Sequence, residues 1–323
     1  MIRLVEVGKT FEDGTVAVAD LTMDVPRGDL VCLVGPSGCG KSTTLKMVNR
    51  LIEPTTGQIW LDGHDVTDAD PVELRRGIGY VIQQVGLFPH HTIADNVMTV
   101  PRLLGVDKAT ARSRALELLE LVGLDPDTYA TRYPQQLSGG QRQRVGVARA
   151  LAADPPVLLM DGPFGAVDPV VRARLQDEFL RLHHELGKTV LMVTHDLDEA
   201  VKMGDRVAVF AQGGRLAQYD APAGVLAAPA DDFVADFVGE DRSVRLLSVT
   251  PIDREHLESL EGVSAGSLGA TLPVDSTLAQ ALSLMLNKDL PMIGITEGAR
   301  FLSVLTPNGV HAQLRRSGSS GAG

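Results

Sequence analysis

Leu30-Val31-Cys32-Leu33-Val34 runs directly into Gly35-Pro36-Ser37-Gly38-Cys39-Gly40-Lys41-Ser42. The first five residues are continuously apolar, as a strand buried on both faces requires, and the stretch from about Ser42 to Leu51 reads as a helix. Strand, glycine-rich turn and helix in that order fit a phosphate loop, in which glycines let backbone N–H groups and a helix N-terminus surround phosphate oxygens. Lys41 is expected to reach the β and γ phosphates and the Ser42 hydroxyl to bind Mg²⁺, with the whole of Gly35 to Thr43 lining the nucleotide.

Outward from this loop the chain alternates. On its N-terminal side Ile2-Arg3-Leu4-Val5-Glu6-Val7 and Val16-Ala17-Val18-Ala19 alternate partly in polarity around a turn at Glu12-Asp13-Gly14, which predicts an antiparallel flap. On its C-terminal side a helix-rich region runs from about 85 to 155; Ala109 to Leu121 sets leucines 116, 118, 119 and 121 among charges. Buried strands follow at Val157 to Met160 and Thr189 to Val193, separated by a helix from about Val170 to Leu186. The expectation is an α/β fold with a mostly parallel central sheet. The pattern breaks around Glu240-Asp241-Arg242. This divides the chain into 1–238, a small α+β unit over 240–314, and a tail 315–323 whose Ser317-Gly318-Ser319-Ser320-Gly321-Ala322-Gly323 has the composition of a flexible linker.

Composition narrows the classes. The chain has 323 residues and 44% of them are apolar, enough for a sizeable core. No run approaches the ~20 apolar residues that span a bilayer, and the N-terminus lacks the regions of a signal peptide. A cytosolic protein is expected, with any membrane role reached through partner subunits. The net charge of −11 argues against nonspecific binding to nucleic acid. Cys32 and Cys39, the two cysteines, flank or enter the phosphate loop and are read as structural.

Further down the chain, Leu137-Ser138-Gly139-Gly140-Gln141 precedes a helical stretch from Arg142 to Ala152 and so offers a second helix N-terminus to an anion. A phosphate loop followed by this pentapeptide resembles the ATP-binding cassette family over about residues 1–238. The resemblance implies a P-loop NTPase cassette with a helical subdomain, binding ATP and Mg²⁺. It also implies two cassettes, a homodimer or a heterodimer, facing head to tail so that each nucleotide lies between one phosphate loop and the partner's signature. Ser138, Gly140 and Gln141 would then meet the γ-phosphate held by the partner chain, with Gly139 among the residues that bind the nucleotide. Carried over residue by residue, Phe11 is similar to the aromatic that stacks on adenine, and Gln83 to the glutamine that binds Mg²⁺ or the attacking water. Asp161 is similar to the Mg²⁺-coordinating aspartate, Asp168 to the aspartate coupling the two cassettes, and His195 to the histidine on the γ-phosphate. The pairs His90-His91 and His183-His184 are read as solvated or capping.

Gly162 departs from the family, which has a glutamate there as general base or water-orienting group. Glycine supplies no proton acceptor, and a positioned base is worth ~10²–10⁴ in rate, so nucleotide binding should survive while hydrolysis slows. Preceding Pro163, Gly162 is expected in extended geometry.

Thr44 to Thr55 and Ile78 to His90 are similar to the ATPase subunits of bacterial importers for glycine betaine, carnitine and choline. That likeness implies a transmembrane permease, a separate extracytoplasmic solute-binding protein, and a place at the cytoplasmic face of the membrane. Val274 to Met285 reads as a capped helix followed by strands at 292–296 and 301–306, an arrangement resembling one cystathionine-β-synthase (CBS) motif. Gly309 stands where that motif's adenosine-binding pattern has aspartate, three residues after Thr306. Residues 240–323 carry nine acidic and seven basic side chains, so a polybasic membrane sensor is not expected. Rival readings are an importer of other solutes, a soluble cassette protein of translation or DNA repair, and a regulatory subunit with little turnover.

Overall fold

A computed structural model describes residues 1–82, 86–165, 168–258 and 268–319. The chain parts into two units, Met1–Leu216 and Ala217–Gly323.

The first unit opens on strands β1 (Ile2–Thr10) and β2 (Val16–Val25), passes through β3 (Leu30–Val34) and helix α1 (Lys41–Val48), and returns in β4 (Thr56–Leu61) and β5 (His64–Asp65). Antiparallel pairing of β1 with both β2 and β4 builds the expected flap, in the order β2-β1-β4-β5. Helix α2 (Pro71–Arg76) leads into β6 (Ile78–Val81). The helical region then holds α3 (Ile93–Val97), α4 (Thr99–Leu103), α5 (Lys108–Leu121), α6 (Pro126–Tyr129) and α7 (Gly139–Leu151). The chain re-enters the sheet as β7 (Val157–Asp161), crosses by α8 (Pro169–Leu186) to β8 (Thr189–Val193), and by α9 (Leu197–Met203) to β9 (Arg206–Ala211), before β10 (Arg215–Asp220).

These strands lie in the order β10-β9-β3-β8-β7-β6. β3 pairs in parallel with β8 and β9, and β7 with β6 and β8. All five side chains of β3 and all five of β8 are buried. That accounts for the unbroken apolar run of β3 and the run Val190 to Val193 in β8, since helices cover both faces of a parallel sheet, and each buried Val, Leu or Met side chain contributes roughly 1.5–3 kcal/mol. Because β3, β7 and β8 run side by side, their C-terminal ends share one edge. In such sheets that edge is where ligands bind.

The second unit contains α10 (Pro222–Ala227), α11 (Asp232–Val238), α12 (Arg242–Val249), β11 (Thr271–Pro273), α13 (Leu278–Asn287), β12 (Ile293–Glu297), β13 (Arg300–Leu305) and α14 (Pro307–Ser319). β11 and β12 are parallel and joined across α13; β12 and β13 are antiparallel. Ile252, Leu278, Met285, Ile293, Ile295 and Leu305 form its core. Thr277 and Gln280 cap α13 reciprocally, as the sequence of that helix predicts.

Two boundaries differ from the sequence reading. Residues 217–238 were expected to close the first domain; 217–220 do so as the end of β10, whereas α10 packs on α12 and α14 of the second unit. Residues 315–319, expected as flexible tail, continue α14. The helix is anchored by buried Val310 and Gln313, whose side chain bonds to the backbone of Asp253 and His256.

Candidate nucleotide site

The loop after β3 delivers Lys41 as the first residue of α1. Its side chain is 8% exposed and donates to Gly35 O and Pro36 O, both at 2.8 Å, folding the ammonium back into the loop it would serve. Among the described residues no side chain caps α1. Its first-turn N–H groups are therefore left for an anion. Gly40 is required here: at φ +96 it precedes the helix, and a Cβ would stand 2.1 Å from Ala17 O. That close approach also seats the flap on the phosphate loop. Phe11, just beyond β1, is 39% exposed, and the Lys9 ammonium lies 5.5 Å from its ring centroid. The aromatic is thus on the surface and not in the core, as stacking on a base requires.

At the end of β7, Asp161 accepts a hydrogen bond from Ser42 Oγ at 2.9 Å. A hydroxyl and a carboxylate oxygen together suit a hard cation such as Mg²⁺, which takes few protein ligands beside phosphate and water. Tyr80, half-buried on neighbouring β6, has its phenol pushed up to about 12 by burial, with the Asp161 charge adding to it. Nothing in the sequence marked it. Gln83, the other expected Mg²⁺ ligand, lies outside the described residues.

Gly162 corrects an expectation. Its φ is +56, left-handed and not extended. Its N–H donates to Val193 O at 2.9 Å and its carbonyl accepts from Gly165 N at 3.3 Å, so the chain turns tightly as soon as it leaves β7. Glycine enters that region without steric cost. Next along the same edge, Thr194 N donates to Leu33 O at 3.1 Å, and His195 follows, exposed between β8 and α9. Asp168 caps α8, accepting from Val171 N at 3.1 Å. Beside it, Arg172 reaches Asp196 at 3.6 Å, linking the start of α8 to the residue after His195.

The structure thus brings Lys41, Ser42, Asp161, Gly162 and His195 to the C-terminal edge of the parallel sheet. The pentapeptide lies on the separate helical region. There Ser138 caps α7, accepting from Gln141 N at 3.2 Å, while Gln141 Oε1 accepts from Ser138 N at 2.9 Å. Ser138 and Gly139 are exposed; Gly140 is buried.

The histidine pairs divide. His184 is exposed as expected, but His183 is 7% exposed, because successive residues of α8 point in different directions and position 183 falls on the packed face with Leu182 and Phe179.

The ABC transporter family model matches residues 18–165. The glycine betaine/carnitine/choline transport ATP-binding protein OpuCA of Bacillus subtilis is 47% identical over 288 residues, which is 89% of this chain and 73% of that protein. The osmoprotectant import ATP-binding protein OsmV of Salmonella typhimurium is 49% identical over 87% of this chain and 71% of its own length. Among solved structures, the dimeric cassette MJ0796 bound to ADP and Pi superposes with a TM-score of 0.62 at 36% identity, covering 69% of this chain and 99% of that one. With these identities over most of its length, and with its phosphate loop and Asp161 at one sheet edge, the chain belongs to the ABC transporter family as one of its ATP-binding cassettes.

Proposed function

We propose that this chain is the energy-coupling ATPase subunit of an importer for quaternary amine osmoprotectants such as glycine betaine, carnitine or choline, acting with a permease and an extracytoplasmic solute-binding protein at the cytoplasmic face of the membrane. The substrate class rests on the relatives, one named for glycine betaine, carnitine and choline transport and the other for osmoprotectant import. No helix among the described residues is long and apolar enough to cross a membrane, so the path for solute would lie in partner subunits. The observation that carries the motor reading is the meeting of Ser42 and Asp161 beside the uncapped start of α1.

In this reading the first-turn N–H groups of α1 and Lys41 hold the phosphates, Phe11 covers the base, and Ser42 and Asp161 retain the cation. Bound there, Mg²⁺ would offset the charge of the phosphate oxygens. Ser138 of a second cassette completes the site from across the dimer, His195 contacts the γ-phosphate, Asp168 couples the two cassettes, and the Gln83 region reports closure to the permease. Gly162 offers no acceptor for a water proton. Binding and closure therefore proceed while hydrolysis is slow. A second reading, a regulatory subunit with little turnover, draws on the same glycine. We read the second unit as a single CBS-like module that contributes dimer contacts.

The test is reconstitution with a candidate permease and binding protein, followed by ATP turnover and uptake of radiolabelled glycine betaine, carnitine and choline. Slow turnover coupled to uptake is expected. Ordinary single-turnover hydrolysis by the parent chain overturns the impaired motor, and uptake of sugars or amino acids alone overturns the substrate class.

A further inference from the structure

The amide of Gln141 has both ends committed within its own chain. Oε1 accepts from Ser138 N at 2.9 Å, and Nε2 donates to the Tyr129 hydroxyl, also at 2.9 Å. The two bonds decide which way the amide faces, since only an oxygen can accept from the Ser138 N–H and only the NH₂ end can donate to Tyr129. Ser138 Oγ in turn accepts from Gln141 N at 3.2 Å. A serine hydroxyl has one proton to donate, and accepting a bond does not use it. With the backbone amide lodged on one lone pair, the Ser138 proton stays available to an acceptor outside the chain, and Ser138 is exposed. Tyr129 is itself pinned, by the Arg132 guanidinium 4.8 Å from its ring centroid. Arg142 donates to Leu137 O at 2.7 Å and places a second cation beside the start of α7.

Resting on the cassette-dimer reading above, we propose that Tyr129 is a positioning residue for the signature. It holds Gln141 in the orientation that braces Ser138, so that the Ser138 hydroxyl, and not the Gln141 amide, is the side-chain donor presented to the γ-phosphate of a partner chain. No local sequence pattern marks this role. Tyr129 stands on a different short helix from the signature, and only folding brings its hydroxyl to Gln141.

Tyr129→Phe removes one oxygen and keeps the ring that Arg132 covers. In sedimentation velocity on the full chain with Mg²⁺ and ATP, the dimer dissociation constant should rise roughly 5- to 100-fold, since both signature interfaces of the dimer lose about the worth of one hydrogen bond. Nucleotide affinity of the monomer should stay at the parent value, and Tm should fall by no more than about 6 °C, the loss of one internal hydrogen bond. Gln141→Leu should weaken the dimer likewise, and the double variant should be no worse than Gln141→Leu alone, because Tyr129 acts through Gln141. A parent chain that dimerises with ATP while Tyr129→Phe leaves the dissociation constant unchanged, or effects that add in the double variant, overturn the inference alone. A parent chain that stays monomeric overturns the dimer reading and the inference with it.

Discussion

Ser42 and Asp161 stand 119 residues apart in the chain, and the serine hydroxyl donates to the aspartate at 2.9 Å. One belongs to α1 and the other to the end of β7; they meet because β8 alone separates β7 from β3, the strand that feeds α1. If the pair retains Mg²⁺, Asp161→Asn keeps the shape and removes the charge. A hydrogen bond to a charged group is worth about 1.5–3 kcal/mol, so ATP affinity in the presence of Mg²⁺ should fall roughly 10- to 100-fold. Affinity in EDTA should hold. Titration of a fluorescent nucleotide under both conditions checks this, and an equal loss in both would place Asp161 in the scaffold and not at the cation.

The left-handed backbone of Gly162 makes restoration of a glutamate more than a chemical change. Any residue with a Cβ costs about 1–2 kcal/mol in that conformation, equivalent to roughly 2–8 °C in Tm for a domain of this size. Gly162→Ala and Gly162→Glu should therefore both lower Tm, while only the glutamate raises hydrolysis, by up to ~10²–10⁴-fold. Thermal melts alongside single-turnover assays separate strain from catalysis. Parent-like melting of both variants would show that the turn does not depend on glycine.

The legible parts of this chain were those that a local pattern dictates. Leu30 to Ser42 announced strand, loop and helix because burial of β3 demands an apolar run and Gly40 must pass Ala17 O without a Cβ. The conformation of Gly162 was not legible, because it is set by the carbonyl of Val193 on the neighbouring strand; the rule for a residue before proline was outweighed by that contact. Residues 315–319 looked like linker on composition, yet the helix they extend is fixed upstream by Val310 and Gln313. His183 was misread from its pairing with His184, when its position on α8 decided its burial.

In the second unit, Glu258 fills the space that the glycine at 309 leaves. Glu258 accepts from Thr306 Oγ1 at 2.6 Å, and a Cβ on residue 309 would lie 2.8 Å from its carboxylate. Placing the CBS pattern's aspartate there should not install a ligand site. Gly309→Asp sets two carboxylates in one space and should destabilise by about 1–3 kcal/mol, as overpacking does. Removing the obstacle should relieve it: Gly309→Asp with Glu258→Ala is expected to be more stable than Gly309→Asp alone. Thermal unfolding of the two single variants and the double variant measures the coupling. Additive losses would mean that Glu258 and position 309 do not compete.

Burial holds the His183 imidazole below its usual range, against an opposing pull from Asp205 and with His184 adding to the depression; backbone groups of Lys188 and Gly28 also pull upward. Among the described residues its buried Nε2 has no hydrogen-bond partner. The unfolded chain therefore takes up the proton first, near the ordinary histidine value of ~6.5. A group whose folded pKa is depressed in this way leaves stability flat above ~6.5 and erodes it as pH falls below that value, down to the folded pKa. Tm of the parent should drop between about pH 7 and about pH 5 more steeply than that of His183→Leu, whose apolar side chain has no proton to take up. The two curves should run parallel above about pH 7. Parallel curves over the whole range would mean that His183 protonates as readily in the fold as outside it, and that another group sets the acid limit.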